Sequence, residues 1–167
     1  MNGILLTFFR VGDVFQSDAG IICHQVNCKG VMGAGIAITV KKNISKQNFF
    51  KYVDLCDEYG SGMLGKVLYT PTLDGKKIIA NCFGQDGYGG KATVYPALES
   101  ALQQVATKAK KTGTSIALPG LIGCGLAGGD WEFVRDNIIY PIFEKENVDL
   151  DIYYFSRNLY EKNHGKY

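Results

Sequence analysis

The chain has 167 residues, 46% of them apolar and 20% charged, and its 18 basic and 16 acidic side chains leave a formal charge of +2. One domain spanning 1–167 fits that length, which is enough to bury a core without disulfide or metal staples. So small a net charge excludes a dominant polyanion-binding field, and no apolar run approaches the ~18 residues of a spanning helix, so a soluble, cytoplasmic monomer without a membrane partner is expected.

In chain order, residues 3–9 and 20–26 are short β-branched or aromatic runs between glycine and aspartate, which predicts two buried strands. The Ile4 to Phe9 run is too short for a signal peptide and has no basic segment before it. Ile36 to Lys42 reads as a helix ending near Asn43. A second helix is predicted from Lys46 to Tyr59, where Phe49, Val53 and Cys56 recur at helical spacing before Gly60 stops it. Lys66 to Thr70 and Lys76 to Phe83 flank Leu73-Asp74-Gly75, an Asp-Gly hairpin signal that predicts an antiparallel pair. Gly84 to Gly90 is a glycine-rich loop whose role the residues leave open.

From Val94 to Lys111 a long amphipathic helix is predicted, with Tyr95, Leu98, Leu102, Val105 and Ala109 on one face and lysines at its end. Ser115 to Leu118 is a strand, and Trp131 to Glu144 a helix that Pro141 should kink. Leu150 to Phe155 is a last strand, and the polar tail from Ser156 to Tyr167 reads as irregular. Six strands with interleaved helices predict an α/β fold with a mixed sheet between helical layers, whose ligands bind at the carboxyl ends of the strands.

Two stretches carry the functional signal. His24-Gln25-Val26-Asn27-Cys28-Lys29-Gly30-Val31-Met32-Gly33-Ala34-Gly35-Ile36-Ala37 and Leu118-Pro119-Gly120-Leu121-Ile122-Gly123-Cys124-Gly125-Leu126-Ala127-Gly128-Gly129-Asp130-Trp131 each run from a strand through glycines towards a helix. Glycine lets the backbone approach a phosphate closely with several amides aimed at the same oxygens, and a helix start adds positive potential. Two such loops suit the paired phosphates of a diphosphate. Neither is a Walker motif, since neither ends in Gly-Lys-Ser/Thr.

The five cysteines, at 23, 28, 56, 82 and 124, are odd in number and sit mostly in apolar runs, which suits reduced thiols. Cys23, His24 and Cys28 lack a fourth ligand, so neither a metal nor a cofactor is expected. Lys41-Lys42, Lys76-Lys77 and Lys108-Lys110-Lys111 read as solvated faces, and nucleic acid is not expected as a partner.

Val11-Gly12-Asp13-Val14, the His24 to Ala37 stretch and the Ile122 to Leu126 stretch together resemble a macrodomain, over nearly the whole chain. Within that superfamily His24-Gln25-Val26-Asn27-Cys28 and Asp57-Glu58-Tyr59-Gly60-Ser61-Gly62-Met63-Leu64-Gly65-Lys66 most resemble the yeast-type ADP-ribose 1″-phosphate phosphatases, with the terminal ADP-ribose glycohydrolase type a nearby relative. The resemblance implies a three-layer α/β/α fold that binds ADP-ribose or a derivative, on its own or attached to a macromolecule. Asp13 would accept from the adenine amine and Val14 would donate its N–H to the ring, with Phe155 against the adenine face. Asn27 would sit near the distal ribose. Gly33, Ala34, Gly35, Ile36 and Ala37 would line that ribose and one phosphate, while Pro119, Ile122, Gly123, Cys124, Gly125, Leu126 and Ala127 close over the diphosphate.

For chemistry, the resemblance assigns catalysis to His24, as nucleophile or base. Asp130 is a second candidate, although an aspartate before Trp131-Glu132-Phe133 is also a natural helix N-cap. The glycohydrolase type uses a lysine and an aspartate at positions that fall on Gln85 and Ala127 here, neither of which can form a lysyl intermediate or supply a carboxylate. Lys91 and Asp86 are the nearby groups that could stand in. The expected functions are therefore release of phosphate from ADP-ribose 1″-phosphate, hydrolysis of another ADP-ribosyl or O-acetyl-ADP-ribose ester, or non-catalytic reading of the nucleotide.

Overall fold

The computed structural model describes residues 7–163, so the start of the strand expected at 3–9 and the end of the polar tail lie outside the described residues. Six strands form one sheet in the order β1-β6-β5-β2-β4-β3, comprising β1 (Thr7–Val11), β2 (Ile21–Val26), β3 (Val67–Pro71), β4 (Ile78–Phe83), β5 (Ile116–Pro119) and β6 (Leu150–Tyr154). β1, β6, β5, β2 and β4 run parallel, and β3 is antiparallel to β4 in the predicted hairpin.

The sheet is covered on both faces because its central strands are apolar on both. Ile21 and Cys23 of β2, with Ala80, Cys82, Ile116 and Leu118, face α3 (Tyr95–Thr112) and the C-terminal helices. Ile22 and Val26, with Ile79, Phe83 and Ala117, face α1 (Ile36–Asn43) and α2 (Lys46–Tyr59). That alternation with burial on both sides is what a parallel sheet between two helical layers requires. The helices begin and end where capping groups allow. Ser45 Oγ accepts from the Asn48 amide at the start of α2, Gly60 ends it at φ 50°, and Lys110 and Lys111 lie in the last turn of α3.

Two expectations need correction. The Trp131 to Glu144 helix is observed as α4 (Trp131–Phe133), a π-helical turn Val134–Ile139 and α5 (Tyr140–Glu146), so the distortion ahead of Pro141 takes the form of a widened turn in which the Tyr140 amide reaches back to the Arg135 carbonyl. A proline ring collides with the carbonyl one α-turn before it, and widening relieves that collision. The tail read as irregular instead forms α6 (Arg157–Asn163): Ser156 Oγ accepts from the Leu159 amide at 3.2 Å, and Tyr160 packs edge-on against Tyr154 with ring centroids 5.8 Å apart.

Candidate functional site

Because β2, β4, β5, β6 and β1 are parallel neighbours, their carboxyl ends open on one side of the fold, the rule for ligand sites in such sheets. The loops 27–35, 84–94 and 120–130 therefore emerge together, flanked by Gly12-Asp13 and Phe155. The side chain of Gln25 fastens the last two of them. Its Nε2 donates to Gln85 Oε1 at 2.8 Å and to Thr93 Oγ1 at 2.9 Å, and Thr93 Oγ1 donates to the Gly123 carbonyl at 2.5 Å. Ala92 and Thr93 amides also reach the Ala127 carbonyl, at 2.9 and 3.3 Å. Gly128 must be glycine here, since its φ is +74° and a Cβ would stand 2.7 Å from the Lys91 nitrogen.

Both glycine loops keep main-chain donors in reserve. Among the described residues no acceptor is bonded to the amides of Gly33, Ala34, Gly35, Ile36 and Ala37, or to those of Gly123, Gly125, Leu126 and Ala127. Gly33, Ala34, Gly35, Gly125 and Leu126 are exposed. Unbonded amides on glycine-rich turns, one set opening α1, form a ready anion site. Leu121 (φ 69°) and Lys91 (φ 60°) adopt left-handed backbone without being glycine, strain of the kind held at ligand-binding loops.

Asp13 caps a short 3₁₀ turn, Val14–Gln16, its Oδ1 accepting from the Phe15 amide at 2.9 Å, and the Val14 amide has no acceptor among the described residues. Phe155 is 79% exposed, so it is not a core residue. Ile122 and Ala127 are buried and contribute backbone only, and Pro119 ends β5 with its carbonyl bound to the Ile122 amide. Burial, and then the charge of Asp130, pushes the Cys124 thiol up to about 12, so it stays protonated. Asp130 is an N-cap, its Oδ1 accepting from the Phe133 amide.

Asn27 is not presented to a ligand by its oxygen. Oδ1 accepts from the Lys29 amide (3.0 Å), the Val31 amide (3.3 Å) and Tyr52 Oη (2.9 Å), while Nδ2 donates to the Val31 carbonyl (2.9 Å), so the side chain shapes the first glycine loop. His24 also departs from expectation. It is fully buried, with Nε2 2.6 Å from Asn81 Oδ1 and Nδ1 without a partner. Asn81 Nδ2 donates to Leu68 O and Thr70 Oγ1, which fixes Oδ1 as the acceptor and makes Nε2 the protonated nitrogen. Burial lowers the imidazole pKa to about 4, against the opposing effect of the Asn81 bond. A neutral ring enclosed in this way touches no solvent.

The polar groups at the mouth of the first loop are Asp86 and Lys29. The Cys28 amide donates to the Asp86 carbonyl at 2.9 Å, binding the 84–94 loop to the first glycine loop, and Lys29 Nζ lies 3.8 Å from Asp86 Oδ1, an oxygen with no hydrogen-bond partner. Gln25, Thr93, Tyr52 and Lys29 carried no sequence signal as site residues. For Asp86 the signal was a third glycine-rich loop following a strand. Among the described residues no group of three His, Cys, Asp or Glu is arranged to hold a metal, and no helix is long and apolar enough to cross a membrane.

The geometry is a mixed sheet with main-chain anion donors on two glycine loops at one end, an α/β frame suited to an anionic ligand. The chain belongs to the macrodomain family, whose model matches residues 23–138. It is 28% identical over 134 residues to an ADP-ribose 1″-phosphate phosphatase of Saccharomyces cerevisiae, spanning 77% of this chain and 71% of that protein. It is 30% identical over 145 residues to a DNA ADP-ribosyl glycohydrolase of Mycobacterium tuberculosis, covering 85% of this chain but only 40% of that protein. The macrodomain of Mycobacterium tuberculosis DarG superposes with a TM-score of 0.74 at 28% identity, covering 89% of this chain and 97% of the other.

Proposed function

We propose that the protein binds ADP-ribose and hydrolyses the phosphate from ADP-ribose 1″-phosphate. The observation that carries the reading is the two sets of unbonded amides, at 33–37 and at Gly123, Gly125, Leu126 and Ala127, on loops that leave neighbouring parallel strands. They would hold the diphosphate, with adenine between Asp13, Val14 and Phe155 and the distal ribose towards Asp86 and Lys29. Water attacks phosphorus, the bond from phosphorus to the anomeric oxygen breaks, and inorganic phosphate leaves. Asp86 accepts the proton from water, and that proton ends on the released hydroxyl of ADP-ribose. Lys29 offsets the phosphate charge. His24 acts as a positioning group through Asn81 and β2.

Similarity to the phosphatase over most of both chains supports this choice. The Gln85 side chain, held by Gln25 where the glycohydrolase type has its lysine, speaks against a lysyl intermediate. Macromolecules carrying ADP-ribose, DNA included, form the wider class of ligand, in line with the 30% identical glycohydrolase. Calorimetry with ADP-ribose and phosphate release from ADP-ribose 1″-phosphate test the reading. Saturable binding and turnover that Asp86→Asn abolishes are expected. Binding without turnover would reduce the protein to a reader, and no binding at millimolar ligand would overturn the assignment.

A further inference from the structure

Charge is distributed unevenly along this chain. Residues 19–53 contain five of its 18 basic residues and none of its 16 acidic ones, so that stretch is +5 and the remainder −3. The fold gathers part of this excess beside the site. α1 starts directly after Gly35, and between α1 and the start of α2 runs a groove of about 410 Å³. Met32 from the first glycine loop, Ile38, Ile44 and Phe49 form its apolar lining. Lys41, Lys42 and Lys46, all exposed, rim it, with Lys41 Nζ 4.3 Å above the Phe49 ring. Phe50 stands next to it, 57% exposed and tilted against Phe49 with ring centroids 6.0 Å apart. The hairpin brings Asp74 towards the end of α1 through the Leu73 amide and the Asn43 carbonyl, but Thr72 and the Lys76 amide already engage its carboxylate.

We propose that this groove binds single-stranded nucleic acid, with the lysines on the phosphates and Phe50 stacked on a base. Lysines bordering an apolar and aromatic surface are the means by which proteins hold single strands, whereas a duplex would offer its backbone but no base face to Phe50. The groove begins at Met32, in the loop assigned to the distal ribose. A strand joined to ADP-ribose at that ribose would therefore continue into it, a placement that rests on the function proposed above. The surface itself does not.

The test is fluorescence anisotropy of the whole protein with a labelled oligothymidylate, the corresponding duplex, and heparin as a generic polyanion. At about 50 mM salt the single strand binds, and its affinity falls with salt. The double variant Lys42→Ala/Lys46→Ala lowers the slope of log K against log salt by about 1.4, at ~0.7 for each phosphate contact of a single strand. Phe50→Ala weakens the single strand by about 5-fold or more and leaves the duplex unchanged. Calorimetry with ADP-ribose gives wild-type affinity in all these variants, which shows that they are folded. Failure of the oligothymidylate to bind, wild-type affinity and slope in the variants, or equal binding of heparin insensitive to Phe50→Ala each overturns the proposal. ADP-ribose silence with intact oligonucleotide binding would instead refute the nucleotide reading and leave this surface standing.

Discussion

Gln25 Nε2 donates to Thr93 Oγ1 at 2.9 Å, and the same hydroxyl donates to the Gly123 carbonyl at 2.5 Å, so a β2 side chain sets the height of a loop that follows β5. Removing that amide frees two site loops from each other. Gln25→Ala should cost about 1–3 kcal/mol in denaturant unfolding, and it should weaken ADP-ribose more than an equally destabilising core change. An affinity equal to wild type would show that the loops hold their places by other means.

Gly125 separates folding from binding. It is exposed, its φ is not positive, and a Cβ there meets nothing within 4 Å. Gly125→Val should therefore keep the thermal midpoint while ADP-ribose affinity in calorimetry falls about tenfold or more, because the new side chain would occupy the space proposed for the diphosphate.

Phe155, 79% exposed just after β6, should behave likewise at the proposed adenine end of the site. Phe155→Ala is expected to change stability by less than about 0.5 kcal/mol. It should lower affinity for ADP-ribose about tenfold, and affinity for ribose 5-phosphate not at all, as calorimetry with both ligands will show.

His24 makes stability depend on pH. Its pKa falls from 6.5 to about 4 on folding, so between those values the unfolded chain binds the extra proton. The contribution is complete above pH 6.5, is lost as pH drops towards 4, and amounts to about 3 kcal/mol. In urea titrations from pH 7 to pH 4, His24→Gln should flatten this part of the stability profile. An unchanged profile would place the acid sensitivity elsewhere.

Tyr52 supports the first glycine loop from below. Its buried hydroxyl lies 2.8 Å from the Asn27 carbonyl and 2.9 Å from Asn27 Oδ1, and it is shielded enough for burial to push its pKa well above the usual phenol range. Tyr52→Phe should cost about 1–2 kcal/mol, and it should raise amide exchange at Lys29 and Val31, the two amides Asn27 Oδ1 receives. Exchange rates equal to wild type would dissociate Tyr52 from the loop.

What the sequence revealed and what it hid divide along a physical line. β2, β4 and α3 were legible because apolar alternation and glycine stops are local, and both glycine loops announced themselves by composition. The burial of His24 was not, since it depends on Asn81 across the strand pair and on Leu68 and Thr70 one strand further, all distant in sequence. Asn27 reads as a ligand contact until Tyr52 arrives from α2 to claim its oxygen. α6 was concealed by its polar surface, although Ser156 and the Leu159-Tyr160 pair supplied a start and an apolar contact.

The widened turn at Val134–Ile139 inserts one residue into the winding of the helix that follows the second glycine loop. The wide turn takes up that surplus without changing the phase of the helix on either side. Trp131, whose indole Nε1 donates to Tyr154 Oη at 3.1 Å, therefore keeps the orientation an unbroken α-helix would give it, and so does the second glycine loop that ends at Asp130. A surplus residue wound as ordinary α-helix would instead rotate everything upstream by about 100° and swing Trp131 off its anchor.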